Sequence, residues 1–566
     1  MRRGIFYAAG ALVVCLHGAA ALDAARKLSP SWDEIITPAA GVAQWRRGAV
    51  EINTEHPFLA KLLAGAFPAM TGAVLPVDDP SWKAKDSFRF GFQFMFRNVV
   101  SGPRLVFLSR LPFVLLSMLT VVLLIGWMAS VFGPAAGLLS GSVYAATPIV
   151  LSRASSALLE GPVFFFLLLA LACQDRWRRT DHRRWVWASG AAMGGALACK
   201  MSALPMAGAF LFSEFLWEGQ GRSWRKRTAA AALYAAAVVG SLVFIAWPWT
   251  GGAACLREAF TFVSRWTGGR DSLYFWAGRY FANPGSLLTW GPFFLKASPF
   301  FLLAGAAGAW VWFRSGRERV LWGLTGTMVA AFFLSPVLAS SALSSVQLSP
   351  VHLGLAIFSA GAALLPGKRR AILGGVLLLG MADAARSHPD YMAYLSPVVG
   401  GNARGGEWVG DSDHDWGQWL PALARYVDRE SKRSPVEVLL CYSGAGDPAA
   451  YGIVYQDVVS SALVSRDHQG MLPSAPGPRT LLAVGDKILQ TEGYLTGWLK
   501  INRRSVPGPD PCFQIYDVTR DAEAYRWMAR VYLETRRPAF ARWAIERART
   551  LDPGNREDKQ FVEALK

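Results

Sequence analysis

Two adjacent acids, Asp33 and Glu34, stand in the stretch Ser31-Trp32-Asp33-Glu34. A carboxylate pair of this kind can supply a general base, a metal ligand or both. It can equally be a solvated loop start, or Asp33 can cap a short helix. Downstream comes Glu51-Ile52-Asn53-Thr54-Glu55-His56-Pro57-Phe58-Leu59-Ala60-Lys61. His-Pro before an apolar run predicts an interfacial helix entered by a rigid turn. His56 there can ligate a metal, bind phosphate, or serve as a hydrogen-bonded structural residue. Arg104, Arg110, Glu160 and Lys200 fall at the ends of apolar runs. Ionisable residues at such ends can snorkel to the interface. Glu160 is short and flanked by apolar residues, so it needs a partner inside a bundle, and Lys200 is the lone charge of its loop. Together they predict a charge-lined cleft.

Two further stretches carry chemistry. Tyr274-Phe275-Trp276-Ala277-Gly278-Arg279-Tyr280-Phe281 and Trp290 through Lys296 to Pro299 interleave aromatics with cations. That mixture suits an amphiphilic phospholipid, with rings on the chain and cations on the phosphate, or an ordinary interfacial aromatic belt. Asp411-Ser412-Asp413-His414-Asp415-Trp416-Gly417-Gln418 could bind a divalent cation or sugar hydroxyls, or form a helix N-terminus capped by Asp415.

The elements that must position these residues follow from composition. The chain has 566 residues, 52% hydrophobic and only 17% charged, with a net charge of +18. An average soluble chain carries about 25% charged residues, so several soluble domains are excluded, as are disorder and nucleic-acid-binding tails. With 23 Trp and 33 Phe the chain reads as a polytopic membrane protein. Apolar runs predict eleven spans, at 4–22, 105–130, 133–150, 157–173, 185–199, 203–217, 228–247, 299–313, 320–338, 346–365 and 371–385. A cleaved signal peptide ending at Ala19-Ala20-Ala21 is the alternative for the first. Every second short loop is basic, and seventeen Lys and Arg lie in those five segments, while the other short loops carry a lone Arg153, a lone Lys200 or nothing. By the positive-inside rule the N-terminus is cytoplasmic. The outer loops are then 23–104 and 248–298, and everything after 385 is extracytoplasmic.

Beyond 385, Val436–Tyr442, 480–484 and 512–518 read as strands, with a helix at 416–429, giving a small α/β domain over 386–520. In the tail, 521–566, Tyr525, Met528, Ala529, Tyr532, Ala541, Ala548 and Pro553 keep the spacing of one tetratricopeptide repeat. One repeat cannot bury its own face, so it must dock on its domain or on a partner. The alternative is a plain helical hairpin. The six Cys fit no metal pattern; Cys441 and Cys512 fall on strands of one domain, where a disulfide or two free thiols are both open.

These pieces resemble the multi-span GT-C-fold glycosyltransferases that take sugars from polyprenyl-phosphate carriers, among them protein O-mannosyltransferases and the aminoarabinose transferases that modify lipid A. The resemblance is to the bacterial branch labelled glycosyltransferase family 39-like. Its acid pair after the first span is matched by Asp33-Glu34. Its Asn-Pro-Glu-His-Pro-Pro-Leu-Ala-Lys is matched by Asn53-Thr54-Glu55-His56-Pro57-Phe58-Leu59-Ala60-Lys61. Its Tyr-Phe…Lys-Thr-Pro is matched by Tyr274-Phe275 through Lys296-Ala297-Ser298-Pro299, and its Asp-Ser-Asn-x-Asp-Trp-Gly-Gln by Asp411 through Gln418. The four motifs keep their order over roughly 20–518. A His common three residues after the acid pair is Thr37 here, an acid that is commonly Asp is Glu160, and the second Pro after His56 is Phe58. These departures bear on any metal role more than on acid–base chemistry.

The resemblance implies an inverting glycosyltransferase of a bacterial inner (plasma) membrane, with a transmembrane domain over 1–385. Asp33 would be the general base, with Glu34 beside it. Lys200, then Arg279, then Lys61 and Lys296 would meet the donor phosphate. His56, Glu55, Glu160, Asp411 and Asp415 would orient groups or the acceptor. Glu34 and His56 are the candidate ligands of an optional divalent metal, and no other cofactor is implied. The partners implied are a polyprenyl-phosphate sugar, membrane lipid, and a protein, lipid or glycan acceptor, with no nucleic acid and with a protein partner open at the tail. The rival readings are a transporter or lipid flippase, and a membrane-anchored scaffold using the tail.

Overall fold

The computed structural model describes residues 2–216, 222–267, 273–282, 285–338, 344–465, 479–491, 512–555, 558 and 561–562. Position 217 of the expected span 203–217, and parts of 248–298, 386–520 and 521–566, lie outside them. The chain forms two compact units, Met1–Arg26 with Asp33–Asn402, and Lys27–Trp32 with Ala403–Lys566.

The first unit is helical. Among the described residues, five helices are long and apolar enough to cross a membrane: Arg3–Lys27, Gly102–Phe132, Trp224–Ala246, Arg319–Val337 and Ser345–Leu364. Two bent pairs raise the number to seven, Pro134–Ala146 with Pro148–Ala154 at 69° and Trp290–Lys296 with Pro299–Ser315 at 100°. Each bend falls at an X-Pro step, where proline disfavours the helical region for the residue before it. Thr147 and Ser298 accordingly take extended backbone angles. Of the other expected spans, 157–173 lies on Glu160–Thr180, which has Arg178 and Arg179 in its last turn, and 185–199 and 203–217 fall on the shorter helices Arg184–Cys199 and Leu204–Leu216.

Two short helices, Ile36–Arg47 and Leu59–Ala69, matter most for the site. A Cβ at Gly41 would come within 1.9 Å of the Lys61 carbonyl oxygen, and one at Gly65 within 2.4 Å of the Gly41 backbone. Their backbones therefore touch, and only glycine permits it. This crossing fixes the helix bearing Lys61 against the one that continues from Asp33-Glu34.

Between the spans, β1 (Leu273–Trp276) and β2 (Arg279–Ala282) form an antiparallel hairpin in register Trp276↔Arg279. Ala277 and Gly278 both have positive φ, 49° and 81°, the pattern of a two-residue hairpin turn matched to strand twist.

The second unit carries a four-stranded sheet in the order β4-β3-β5-β6. β3 (Val436–Tyr442) pairs in parallel with β4 (Gln456–Ser460) and β5 (Arg479–Gly485); β6 (Phe513–Asp517) is antiparallel to β5. The helix expected from 416 begins at Leu420, because Gly417 has φ 91° and Asp415 bonds in a turn before it. The tail helices Ala522–Glu534 and Pro538–Leu551 pack on this sheet. Tyr525, Met528, Ala529, Tyr532, Ala541 and Ala548 share a buried core with Leu439, Val458, Leu482 and Val518. All six cysteines are free thiols. Cys441 on β3 and Cys512 at the start of β6 are separated by β5, about 10 Å in strand spacing, too far for a disulfide.

Candidate active site

The turn Trp32–Ile35 carries the acid pair, and its two carboxylates have different surroundings. Glu34 is 1% exposed. Its oxygens accept from Arg110 Nε at 2.8 Å, Arg110 Nη2 at 2.7 Å and the Ala157 backbone N–H at 2.7 Å. Arg110 also donates from Nη1 to the Ala25 carbonyl at 2.9 Å. A bidentate, buried pair with a further backbone donor saturates the carboxylate. Asp33 is partly exposed, and its backbone carbonyl accepts from Thr37 Oγ1 at 3.2 Å.

The Glu34 clamp reaches the segment just before Glu160. Glu160 opens its helix and pairs with Lys200 Nζ, with side chains 17% and 14% exposed. The partner expected for Glu160 inside the bundle is thus Lys200. Arg153, at the end of Pro148–Ala154, also acts on the Glu160 carboxylate. Arg153 itself is 1% exposed, and neither its Nε nor its Nη atoms meet a hydrogen-bond partner.

The Asn53–His56 tip belongs to the same cluster. Lys61 Nζ donates to the carbonyls of Asn53 and His56, both at 2.7 Å. Cys255 Sγ contacts the His56 and Thr54 carbonyls at 3.2 and 3.4 Å. Burial holds the Lys61 ammonium down at about 8, against the pull of nearby Cys255, Glu55 and Glu258. Burial, followed by the positive charges of Lys200 and Lys61, pushes His56 down to about 3. The imidazole is therefore neutral, stacked edge-on against Phe262 with centroids 5.1 Å apart. A neutral ring can donate and accept hydrogen bonds, as sugar hydroxyls require.

The other expected residues lie apart from this cluster or are engaged elsewhere. Lys296 is 5% exposed, and its Nζ donates to the Met392 and Tyr394 carbonyls; nearby Asp383 accepts from Ser298 Oγ and Tyr394 OH. Lys61 and Lys296 thus hold loops by their backbones. Arg279 is exposed on β2, and Glu55 is exposed with Asn53 Nδ2 at 3.5 Å. In the sheet unit Asp411 receives Lys487 Nζ at 2.8 Å. Asp415 accepts from the N–H groups of Gly417 and Lys487 at 3.1 and 3.0 Å. Burial raises its carboxyl to about 6, with Asp486 adding to the rise. Among the described residues no group of three or more His, Cys, Asp or Glu side chains could hold a metal. With Glu34 saturated by Arg110 and Ala157, the donor set does not fit one. The sequence placed Arg110 only at a span end lining a cleft, without its Glu34 partner, and gave Arg153 no role in the site. The one available signal was that Arg153 is the lone basic residue of its loop.

A family model described as dolichyl-phosphate-mannose-protein mannosyltransferase matches residues 104–249, a segment that contains Arg110, Arg153, Glu160 and Lys200. The chain has no match among curated proteins. Among solved structures it is similar to the apo form of ArnT from Cupriavidus metallidurans, with a TM-score of 0.50 and 14% identity over 90% of this chain and 97% of that one. It is also similar to the S. cerevisiae protein O-mannosyltransferase Pmt1-Pmt2 complex bound to the sugar donor, with a TM-score of 0.30 and 17% identity over 46% of this chain and 35% of that one.

Proposed function

We infer that this chain, a multi-span GT-C-fold glycosyltransferase related to the protein O-mannosyltransferases and to ArnT, moves a sugar from a polyprenyl-phosphate donor to an acceptor hydroxyl. The reaction takes place on the extracytoplasmic side of the membrane. The observation that supports this reading is the charged cluster that joins the family-matched segment to the acid pair and His56 before it. There the Glu160–Lys200 pair lies next to a neutral His56 and is linked through Ala157 and Glu34 to the turn bearing Asp33. The donor name carried by that family supports a lipid-linked sugar.

Asp33 takes the proton of the acceptor hydroxyl as its oxygen attacks the anomeric carbon. The bond from that carbon to the phosphate oxygen breaks on the opposite face, so configuration inverts. Polyprenyl phosphate leaves with the bonding electrons, and its developing charge is met by Lys200. Glu34 takes no part in proton transfer; through Arg110 it holds the turn in place. Arg279, exposed on its hairpin, is a contact for the lipid-linked donor. Asp411 and Asp415 belong to the sheet unit's own turn.

The test is transfer of label from a polyprenyl-phosphate sugar in vesicles containing the full chain. Asp33→Asn should lower transfer by about 10²- to 10⁴-fold, the usual contribution of a general base, with an unchanged melting midpoint. Near-normal transfer by Asp33→Asn would remove the base assignment.

A further inference from the structure

Most interior arginines of the helical unit are answered by the protein. Arg110 has the Glu34 carboxylate and the Ala25 carbonyl, and Arg178 has Ser213 and Glu214. Arg153 is the exception among the described residues: it is 1% exposed, and Nε, Nη1 and Nη2 all lack a hydrogen-bond partner. A guanidinium keeps its proton at every accessible pH, so it cannot escape burial by becoming neutral. The neighbouring Ser152 Oγ is also buried and unpartnered. Glu160 is near enough for its charge to act on Arg153, yet its carboxylate is hydrogen-bonded to Lys200. Two cations therefore share one acid, leaving a surplus positive charge and a set of unmet N–H donors in one buried place.

We propose that Arg153, with Lys200, forms the binding site for the phosphate of the polyprenyl carrier. The guanidinium fork grips two phosphate oxygens, while Lys200 stays shared between phosphate and Glu160. The fork suits this ligand because phosphate offers paired oxygens at matching spacing, whereas the backbone carbonyls that hold Lys61 and Lys296 do not. Ser152 Oγ adds one neutral donor. The inference rests on the reading of the chain as a polyprenyl-phosphate-dependent transferase and names the residue that reading lacked.

The experiment measures binding and melting midpoint of the full chain in lipid nanodiscs. The probes are undecaprenyl phosphate, undecaprenol of the same length, and inorganic phosphate. Undecaprenyl phosphate should raise the wild-type midpoint, and undecaprenol should not. Arg153→Met should bind the phosphate lipid at least about a hundredfold more weakly, as expected for loss of a buried charged partner. Its ligand-free midpoint should hold or rise, because the substitution removes a buried charge without breaking a protein hydrogen bond. Arg153→Lys, with charge but no fork, should recover only part of the affinity. A large fall in the ligand-free midpoint of Arg153→Met would make Arg153 architectural and overturn the proposal. Binding by Arg153→Met within threefold of wild type would overturn it too, while leaving the enzyme's donor class intact. A wild-type response to inorganic phosphate equal to that for the lipid would assign the site to free phosphate instead. Failure of the wild type to respond to undecaprenyl phosphate at all would remove the donor reading and this site with it.

Discussion

Each unit of the molecule holds a turn with closely spaced acids, Asp33-Glu34 in one and Asp411 to Asp415 in the other, and the two are wired differently. At the helical unit's turn, Glu34 is saturated by Arg110 and Ala157, while Asp33 beside it is partly exposed. The segment that Glu34 grips leads to an unequal charge group, Arg153 and Lys200 against Glu160. In the sheet unit, the Asp411–Gln418 segment turns its polar atoms on its own fold. Asp415 accepts two backbone N–H groups, Gln418 Nε2 donates to the His414 carbonyl at 2.9 Å, and Lys487 answers Asp411. The His414 ring is fully buried against Asp486 at 3.1 Å. Similar residue types thus build a reactive arrangement in one place and a locked turn in the other. What separates them is surplus cationic charge: Arg153 brings three unanswered nitrogens to a carboxylate already paired with Lys200, whereas in the sheet unit's turn Lys487 answers Asp411 and the buried atom left without a partner is the His414 Nδ1.

The sharpest way to break this contrast is to neutralise one lysine in each region. Lys200→Met should lower transfer by about 10²- to 10³-fold, the loss seen when one preorganised donor to a developing anion is removed. Lys487→Met should leave transfer within about threefold, since its ammonium meets a largely exposed Asp411 carboxylate and pairs with a solvated partner contribute little. Equal losses in a vesicle transfer assay would abolish the distinction. The second contrast lies inside the acid pair. Glu34→Gln should destabilise the full chain by about 3 kcal/mol, because it leaves the buried Arg110 charge without its counter-ion. The glutamine oxygen can still accept one of the three donors, which keeps the loss at the lower end. Asp33→Asn should leave the melting midpoint unmoved, so thermal unfolding of the two variants side by side separates positioning from chemistry.

How much of this was legible depended on how local each cause is. Unbroken apolar runs such as Gly102–Phe132 announce themselves, because a spanning helix is a property of about 20 consecutive residues. The bend at Thr147-Pro148 lies inside the apolar run 133–150, where hydropathy averages over it, and the one at Ser298-Pro299 falls where the expected span 299–313 begins. Strands β3, β5 and β6 were readable from their β-branched and aromatic content. β4, Gln456-Asp457-Val458-Val459-Ser460, is a short edge strand with too little apolar alternation to stand out. In the site, the need of Glu160 for a partner followed from burial logic, and Lys200 fills it. The Glu34–Arg110 clamp spans 76 positions and leaves no local trace. Lys61 and Lys296 read as phosphate cations because backbone carbonyls, their acceptors here, carry no sequence signal. Arg153 was visible as a lone charge, but only its unanswered nitrogens give that charge a meaning.

A third prediction uses pH to sharpen the comparison from the sheet unit's side. Burial raises Asp415 to about 6 from an ordinary 3.8. Between these values the unfolded chain has lost the proton and the folded chain keeps it, so stability falls as pH rises from about 4 to 6 and is flat above. The linkage amounts to about 3 kcal/mol at 1.36 kcal/mol per pH unit. Hydrogen exchange of Val436–Tyr442 amides in the full chain should follow that slope, and Asp415→Asn should flatten it. A wild-type profile that rises over this interval would contradict a folded Asp415 that keeps its proton up to about pH 6.

The smallest effect concerns the tail. Arg537 Nη1 donates to the Asp457 carboxylate at 2.7 Å and to its carbonyl at 3.1 Å, Nη2 donates to the Val458 carbonyl, and the guanidinium lies over Tyr532. The turn before it needs Arg536 at φ 58°, so this arginine pins the hairpin to β4 where the backbone reverses. Arg537→Met keeps the apolar stem over Tyr532 but leaves the buried Asp457 carboxylate without its cation, a loss of about 2 kcal/mol. Exchange should quicken in Ala522–Glu534 and Pro538–Leu551, while transfer from lipid-linked sugar stays near wild type. Asp457→Asn, which removes the charge instead of its partner, should cost less. If Arg537→Met instead abolished transfer with the hairpin still protected, the tail would belong to the catalytic machinery, and the division between a reactive helical unit and a locked sheet unit would have to be redrawn.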